Sequence, residues 1–210
     1  MIEILLVDDH TMFREGLKQI LSRETDMRVI DEVGNGNEAL DKIREYHYSV
    51  IVLDISMPGQ TGWNVLTEIK LEQPDIPVLI LSMHPEDQYG IRMLKAGASG
   101  YVSKESAAEN LISAIRKVAG GGRYVSPALA EKLALTLGDQ SNKLPHQLLS
   151  AREFEVMCML ATGKSLKEIA DALCLSEKTI TTYRARILEK MQLRNNVELS
   201  HYAMENKLID

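Results

Sequence analysis

The chain is poor in the residues that staple, anchor or cross a membrane. Its 210 residues hold two cysteines, one tryptophan, two phenylalanines and six prolines. Cys158 and Cys174 have no His or further Cys at ligand spacing, and both fall in helical-looking sequence. That excludes a disulfide framework and predicts two reduced core thiols. No apolar run approaches the roughly 20 residues that span a bilayer. The opening Met1-Ile2-Glu3 enters a strand directly, with no basic segment or apolar core of a signal peptide. The expectation is a cytoplasmic protein with no membrane partner. Internal repeats are absent, and low complexity is confined to Gly120-Gly121-Gly122. The net charge of −6 arises wholly within the first 123 residues, because acidic and basic residues balance from 148 onward. There, Lys178, Arg184, Arg186, Lys190 and Arg194 face only Glu177 and Glu189, a local basic patch that leaves a nucleic-acid partner open.

What is present is organised around Val50-Ile51-Val52-Leu53-Asp54. Four apolar residues in a row read as a strand buried on both faces, and Asp54 ends it. Pro58 and Gly59 then force a loop, so Asp54 sits at the carboxyl end of a central strand, where open α/β sheets place ligand sites. It should face a cleft. Ile2 to Val7, Arg28 to Val33, Val78 to Ser82 and Gly100 to Ser103 read as further strands. Helices follow each in turn: Phe13 to Leu21 on a single apolar face, Asn37 to Glu45, Trp63 to Leu71, Asp87 to Ala96 ended by Gly97, and Ala107 to Ala119. This alternation predicts an α/β fold with a doubly wound, five-stranded parallel sheet. Gly120-Gly121-Gly122 closes it. The expected organisation is a first domain over 1–121, a linker over 122–147 with a short helix from Pro127 to Leu137 and a polar stretch 138–143, and a small all-α domain over 148–210.

If the first and third strands are neighbours, Asp8, Asp9 and Asp54 converge. Three close carboxylates repel unless a cation lies between them or their pKa values rise. No His or Cys cluster accompanies them, which favours a hard ion such as Mg2+. A carboxylate held against such an ion can attack a phosphoryl group and form an acyl phosphate. Ser82 and Lys104 close the fourth and fifth strands with a hydroxyl and a cation suited to phosphate oxygens. The plainer alternatives make Asp54 a loop cap, Ser82 a helix cap and Lys104 a solvated charge. Five polar residues at the carboxyl ends of predicted strands argue against them. Trp63, Met83 and His84 take no assigned role.

Leu6-Val7-Asp8-Asp9-His10, Leu53 to Gly59, Ser82, Gly97-Ala98 and Tyr101-Val102-Ser103-Lys104 together resemble the receiver domain of two-component response regulators, which is flavodoxin-like. The resemblance implies that Asp54 accepts phosphate from a sensor histidine kinase. It implies that Asp9 and Asp54 bind Mg2+ with the Ser56 backbone carbonyl, Asp8 helping through water, and that Ser82 and Tyr101 move on phosphorylation. Glu105 stands where receivers often carry proline. Such proteins are phosphoacceptors with at most slow self-dephosphorylation.

In the second half, Leu149-Ser150-Ala151-Arg152-Glu153 is a capping box ahead of a helix with Phe154, Met157, Cys158 and Ala161 on one face, ended by Gly163. Ser165 to Leu173, a tight turn, and Ser176 to Met191 form a helix-turn-helix pattern, with Val197 to Glu205 as a fourth helix. A solvated amphipathic helix is the plain reading of Ser176 to Met191. The turn length and the small polar residues near its start point to insertion in a DNA major groove. Leu160 to Gly163, Lys167 to Ala170, Leu175 to Ile180 and Leu188 to Met191 resemble the LuxR-type domain, which places the whole chain in the NarL/FixJ family. By position, Thr181, Thr182 and Ala185 would face base edges, while Lys178, Thr179, Arg186 and Lys190 would hold phosphates. Thr182-Tyr183 stands where relatives commonly carry Val-His, and Ala185 where a longer polar residue is common. The resemblance implies a transcription regulator that dimerises on phosphorylation, binds double-stranded DNA and meets RNA polymerase. The flexible joint further suggests that the unphosphorylated receiver covers the recognition helix. A phosphatase of the haloacid dehalogenase type would need a second Asp where Ser56 stands. The other alternative is a helix-turn-helix that contacts protein and not DNA, and salt-dependent binding to duplex DNA separates the two, because phosphate contacts release counterions and a protein surface would show a shallower slope.

Overall fold

The computed structural model describes residues 1–57, 62–84, 86–138, 144–206 and 208–209. The expected Pro58-Gly59 loop and most of the polar stretch 138–143 lie outside them. The chain separates into two compact units, Met1–Leu133 and Ala134–Asp210.

In the first unit five strands, β1 (Ile2–Val7), β2 (Met27–Val33), β3 (Val50–Asp54), β4 (Val78–Ser82) and β5 (Gly100–Ser103), form one parallel sheet in the order β2-β1-β3-β4-β5. The helices are α1 (Thr11–Leu21), α2 (Gly36–Glu45), α3 (Gly62–Glu72), α4 (Glu86–Lys95) and α5 (Ala107–Ala119). Alternate strand residues face opposite sides of the sheet. Ile4, Leu6, Val50, Val52, Leu79, Leu81 and Val102 pack against Leu17 and Leu21 of α1 and Leu111, Ala114, Ile115 and Val118 of α5. Leu5, Val7, Ile51, Leu53 and Ile80 point the other way and are equally buried. Burial on both faces explains the unbroken apolar runs. Val7 pairs with Leu53, Asp54 with Leu81 and Ser82 with Ser103, so the polar residues that end these strands arrive at one sheet edge.

The first unit continues past the glycines, where the sequence suggested a linker from 122. The Tyr124 N–H donates to the Ser99 carbonyl at 2.9 Å, and the Tyr101 N–H donates to the Tyr124 carbonyl at 3.3 Å. Leu129, at the start of α6 (Pro127–Gly138), is buried, and a Cβ at Gly90 would meet it at 2.8 Å. The glycines permit a turn, but the hydrogen bonds of β5's open edge recruit the residues beyond it.

Among the described residues the second unit, beyond the end of α6, holds α7 (Ala151–Ala161), α8 (Leu166–Ala172), α9 (Glu177–Met191) and α10 (Asn196–Glu205), after a short 3-10 turn, Pro145–Leu148. Phe154, Val156, Met157, Ile169, Ile180, Ile187, Leu199 and Ala203 form its core. Ser150 with Glu153 and Ser165 with Glu168 make reciprocal capping boxes, while Ser176 and Asn195 cap α9 and α10. Cys174 departs from the expected buried thiol. It is exposed, with φ of 50°, in the turn between α8 and α9, where the Leu175 N–H reaches back to the Ala170 carbonyl. A left-handed residue after a helix closes that turn, whatever the hydropathy of its side chain. Cys158 is half-buried, and neither cysteine forms a disulfide among the described residues. Among the described residues no helix is long and apolar enough to cross a membrane.

Candidate functional site

Asp54 lies on the floor of the site and is 1% exposed. Its Oδ1 accepts the Ser56 backbone N–H at 3.1 Å and its Oδ2 accepts Lys104 Nζ at 2.7 Å. Burial raises the pKa of this carboxyl, and Lys104 and the Ser56 amide recover only part of the shift. Lys104 is no solvated charge. Its Nζ is also 2.7 Å from Asp8 Oδ2 and sits 4.8 Å from the centre of the Phe13 ring. Burial alone would lower its pKa, but Asp54 and Asp8 outweigh that and hold the ammonium above its ordinary value. One cation thus neutralises part of a pair of buried carboxylates. The start of α3 fixes the strand end from behind, because a Cβ on Gly62 would lie 2.2 Å from the Asp54 carbonyl oxygen.

Carboxylate oxygens of Asp8, Asp9 and Asp54 and a ring nitrogen of His10 all lie within 4.8 Å of one another. This brings together the three acidic residues, with His10 as a single imidazole beside them. His10 Nδ1 is 3.2 Å from Asp8 Oδ1 and 2.9 Å from Asp9 Oδ1, although its side chain is 63% exposed. As the residue after Asp9 and the N-cap of α1, it has its ring beside the acidic group by adjacency alone. Two oxygens are poorly served by the protein. Asp8 Oδ2 and Asp9 Oδ1 are buried and accept no hydrogen bond of good geometry, with Lys104 Nζ 2.7 Å from the first and His10 Nδ1 2.9 Å from the second. A divalent cation would satisfy such lone pairs, so the donor set fits a metal centre of hard oxygen ligands.

At the rim, Ser82 is fully buried and its Oγ accepts the His84 N–H at 3.0 Å. Tyr101, 1% exposed, donates its hydroxyl to the His84 carbonyl at 2.7 Å. His84 Nε2 is 3.1 Å from Ser56 Oγ, and its ring stacks on Tyr89 at 4.5 Å. Burial pushes the imidazole pKa down, with Asp54 opposing. Asp54, Ser56, Ser82, His84, Tyr101 and Lys104 therefore form one connected group. His84 and Phe13 received no role from sequence, and position two residues past Ser82 is the only signal that marks His84. Trp63 is half-buried and Met83 exposed.

The second candidate surface is α9. Ile180, Ile187 and Met191 face the core. Lys178, Thr181, Thr182, Ala185, Arg186 and Lys190 are exposed and Thr179 is half-buried. Lys178, Thr179, Thr182, Tyr183 and Arg186 border the same open space. Two basic residues of the expected patch are committed elsewhere: Arg184 Nε donates to Asn196 Oδ1 at 2.7 Å, and Lys190 Nζ is 2.6 Å from Glu153 Oε2. Burial would raise the Glu153 pKa, but Lys190 and Ser150 together bring it below the ordinary value.

Residues 4–116 match the family model described as response regulator receiver domain, and residues 147–203 match that of bacterial regulatory proteins of the luxR family. The response regulator GacA of Pseudomonas viridiflava is 37% identical over 211 residues, spanning 100% of this chain and 99% of its own. The response regulator UvrY of Escherichia coli K12 is 35% identical, with 99% and 96% covered. Among solved structures, RcsB of Salmonella enterica serovar Typhimurium, bound to promoter P1flhDC in the presence of the phosphomimetic BeF3-, superimposes with a TM-score of 0.71 at 25% identity, covering 96% of this chain and 97% of that one. A LuxR-family response regulator from Aurantimonas matches 66% of this chain and 99% of its own at 32% identity and a TM-score of 0.61. A parallel sheet that gathers acidic residues at one edge, a capped helix-turn-helix and relatives matched over their full length agree: the chain belongs to the NarL/FixJ family of two-component response regulators, transcription regulators with a receiver domain and a LuxR-type DNA-binding domain.

Proposed function

We propose that Asp54 is the phosphoacceptor for a sensor histidine kinase and that its phosphorylation controls dimerisation and sequence-specific DNA binding by the second domain, in the cytoplasm and with RNA polymerase as the downstream partner. The observation that carries this reading is the buried Asp54 carboxylate held 2.7 Å from Lys104 Nζ among the carboxylates of Asp8 and Asp9. Asp8, Asp9, Asp54 and the Ser56 carbonyl would hold Mg2+, which supplies charge neutralisation for the incoming phosphoryl oxygens.

The protein's own residues supply the rest. An Asp54 oxygen attacks phosphorus while the phosphorus–nitrogen bond to the kinase histidine breaks. Lys104, bridging two carboxylates at rest, is placed to transfer its ammonium to a phosphate oxygen as the new charge appears. Ser82 can offer its hydroxyl to a second oxygen. That would disturb its link to His84, and through the His84 carbonyl the change reaches the Tyr101 hydroxyl. The chain acts as acceptor and not as a turnover enzyme, since Ser56 stands where a phosphatase of the haloacid dehalogenase type has its acid. In the second domain, Thr181, Thr182 and Ala185 face base edges while Lys178, Thr179 and Arg186 hold phosphates. Lys190, already paired with Glu153, contributes the weakest of these contacts. The division of labour falls between functional domains of 1–121 and 148–210, and of the segment 122–147 between them the part up to Leu133 packs with the first.

Incubation with acetyl phosphate and Mg2+, followed by intact-mass analysis, tests the acceptor. Wild type gains one phosphoryl group and Asp54→Asn gains none; a modified Asp54→Asn protein would contradict the assignment.

A further inference from the structure

The exposed face of α9 has an unusual chemistry for a DNA reader. Thr181 Oγ1 donates to the Glu177 carbonyl at 2.8 Å, and Thr182 Oγ1 donates to the Lys178 carbonyl at 3.0 Å. Each hydroxyl hydrogen is therefore spent inside the helix, four residues back, which is a favoured arrangement for helical threonine. Their remaining hydrogen-bond capacity is acceptor lone pairs, and both residues are exposed. Ala185, also exposed, adds a methyl one turn beyond Thr181. Of the long cationic side chains nearby, Arg184 donates its Nε to Asn196 and Lys190 is held by Glu153, while Lys178 and Arg186, one turn either side of Thr182, border the same open space and are assigned to phosphates.

Resting on the reading that α9 enters the major groove, we propose that Thr181, Thr182 and Ala185 form a methyl surface that selects thymine by its 5-methyl group. Thymine is the one base that carries a methyl into the major groove, and alanine and threonine methyls are suited to meet it. Guanine presents only acceptors there, and Thr181, Thr182 and Ala185 themselves have no side-chain hydrogen left to donate to them, while Lys178 and Arg186 are engaged with phosphates. Specificity at the centre of each half-site is then apolar, and the flanking cations add affinity without sequence information.

The experiment uses the full chain, loaded with beryllofluoride and Mg2+, and duplexes selected from a randomised pool made with thymine. Each half-site thymine is then replaced by uracil, which preserves base pairing and removes only the methyl group, and affinities are compared at fixed salt. Loss of about fourfold per contacted thymine, the value of burying one methyl-sized group, is expected at two or three positions in each half-site. Thr182→Ser should erase the penalty at one of those positions, whereas Thr182→Val, which keeps a methyl and removes the hydroxyl, should preserve it. Equal, salt-dependent binding of thymine and uracil duplexes would overturn the methyl reading while leaving α9 as a DNA reader. Absence of salt-dependent binding to any duplex would overturn the underlying placement of α9.

Discussion

The two sites of this protein handle charge in opposite ways. Around Asp54 the charges are buried and face one another, with Lys104 shared between Asp8 and Asp54 at 2.7 Å from each. On α9 the useful cations, Lys178 and Arg186, are exposed with no carboxylate partner among the described residues, while the neighbouring Arg184 and Lys190 are tied to Asn196 and Glu153. A site that must receive a phosphoryl group benefits from low dielectric and prearranged counter-charge, where each electrostatic interaction is strong. A surface that must find a polyanion benefits from solvated, accessible charge and gains affinity by releasing counterions.

The largest effect should come from breaking the buried arrangement. Lys104→Ala leaves two carboxylates facing each other without their counter-charge, and should destabilise the protein by about 3 kcal/mol in metal-free buffer. Denaturant unfolding checks this, and added Mg2+ should return much of the loss. A smaller cost, about 1 kcal/mol, is expected for Ser150→Ala, which removes the α7 cap and one of the groups that hold Glu153.

Two carboxylates sharpen the contrast through pH. Asp54 has a raised pKa, so its contribution to stability is present below its ordinary value of 3.8 and is lost as pH rises through the raised folded value. Asp54→Asn should therefore gain on wild type, in metal-free thermal melts, as the pH is taken from acid toward neutral. Glu153 has a lowered pKa, so its contribution is present above the ordinary 4.5 and is lost as pH falls through the folded value. The deficit of Glu153→Gln should accordingly shrink on acidification. Opposite slopes for the two variants are expected, and equal slopes would erase the distinction between the sites.

The smallest effects concern salt. Lys178→Ala and Arg186→Ala should each reduce the slope of log affinity for duplex DNA against log salt by about 1. Lys190→Ala should change it by much less, because its ammonium is occupied by Glu153.

The sheet was legible in the sequence because β1, β3, β4 and β5 are short apolar runs followed by a polar residue, Asp8, Asp54, Ser82 and Lys104 among them, while the edge strand β2 mixes Arg28, Asp31 and Glu32 with its apolar residues. The capping box at Ser150 was equally plain, since Glu153 lies a fixed distance along the chain, and the matching box of Ser165 and Glu168 could have been read by the same spacing. Less visible were contacts that depend on distant segments meeting. Nothing local in Lys104 says that its ammonium will be divided between residues 96 and 50 positions earlier. The recruitment of Tyr124 and Leu129 to the first unit follows from the open edge of β5 and the missing side chain at Gly90, neither of which marks the linker itself. Cys174 misled because hydropathy suggests a core thiol, whereas the turn geometry decides its place.

The central claim is that the state of Asp54 governs DNA binding by α9. Its most direct test is the affinity of the full chain for a selected duplex at fixed salt, with and without acetyl phosphate and Mg2+, in wild type and in Asp54→Asn. Tighter binding on phosphorylation in wild type alone is the predicted result; Asp54→Asn binding as tightly as phosphorylated wild type would contradict it.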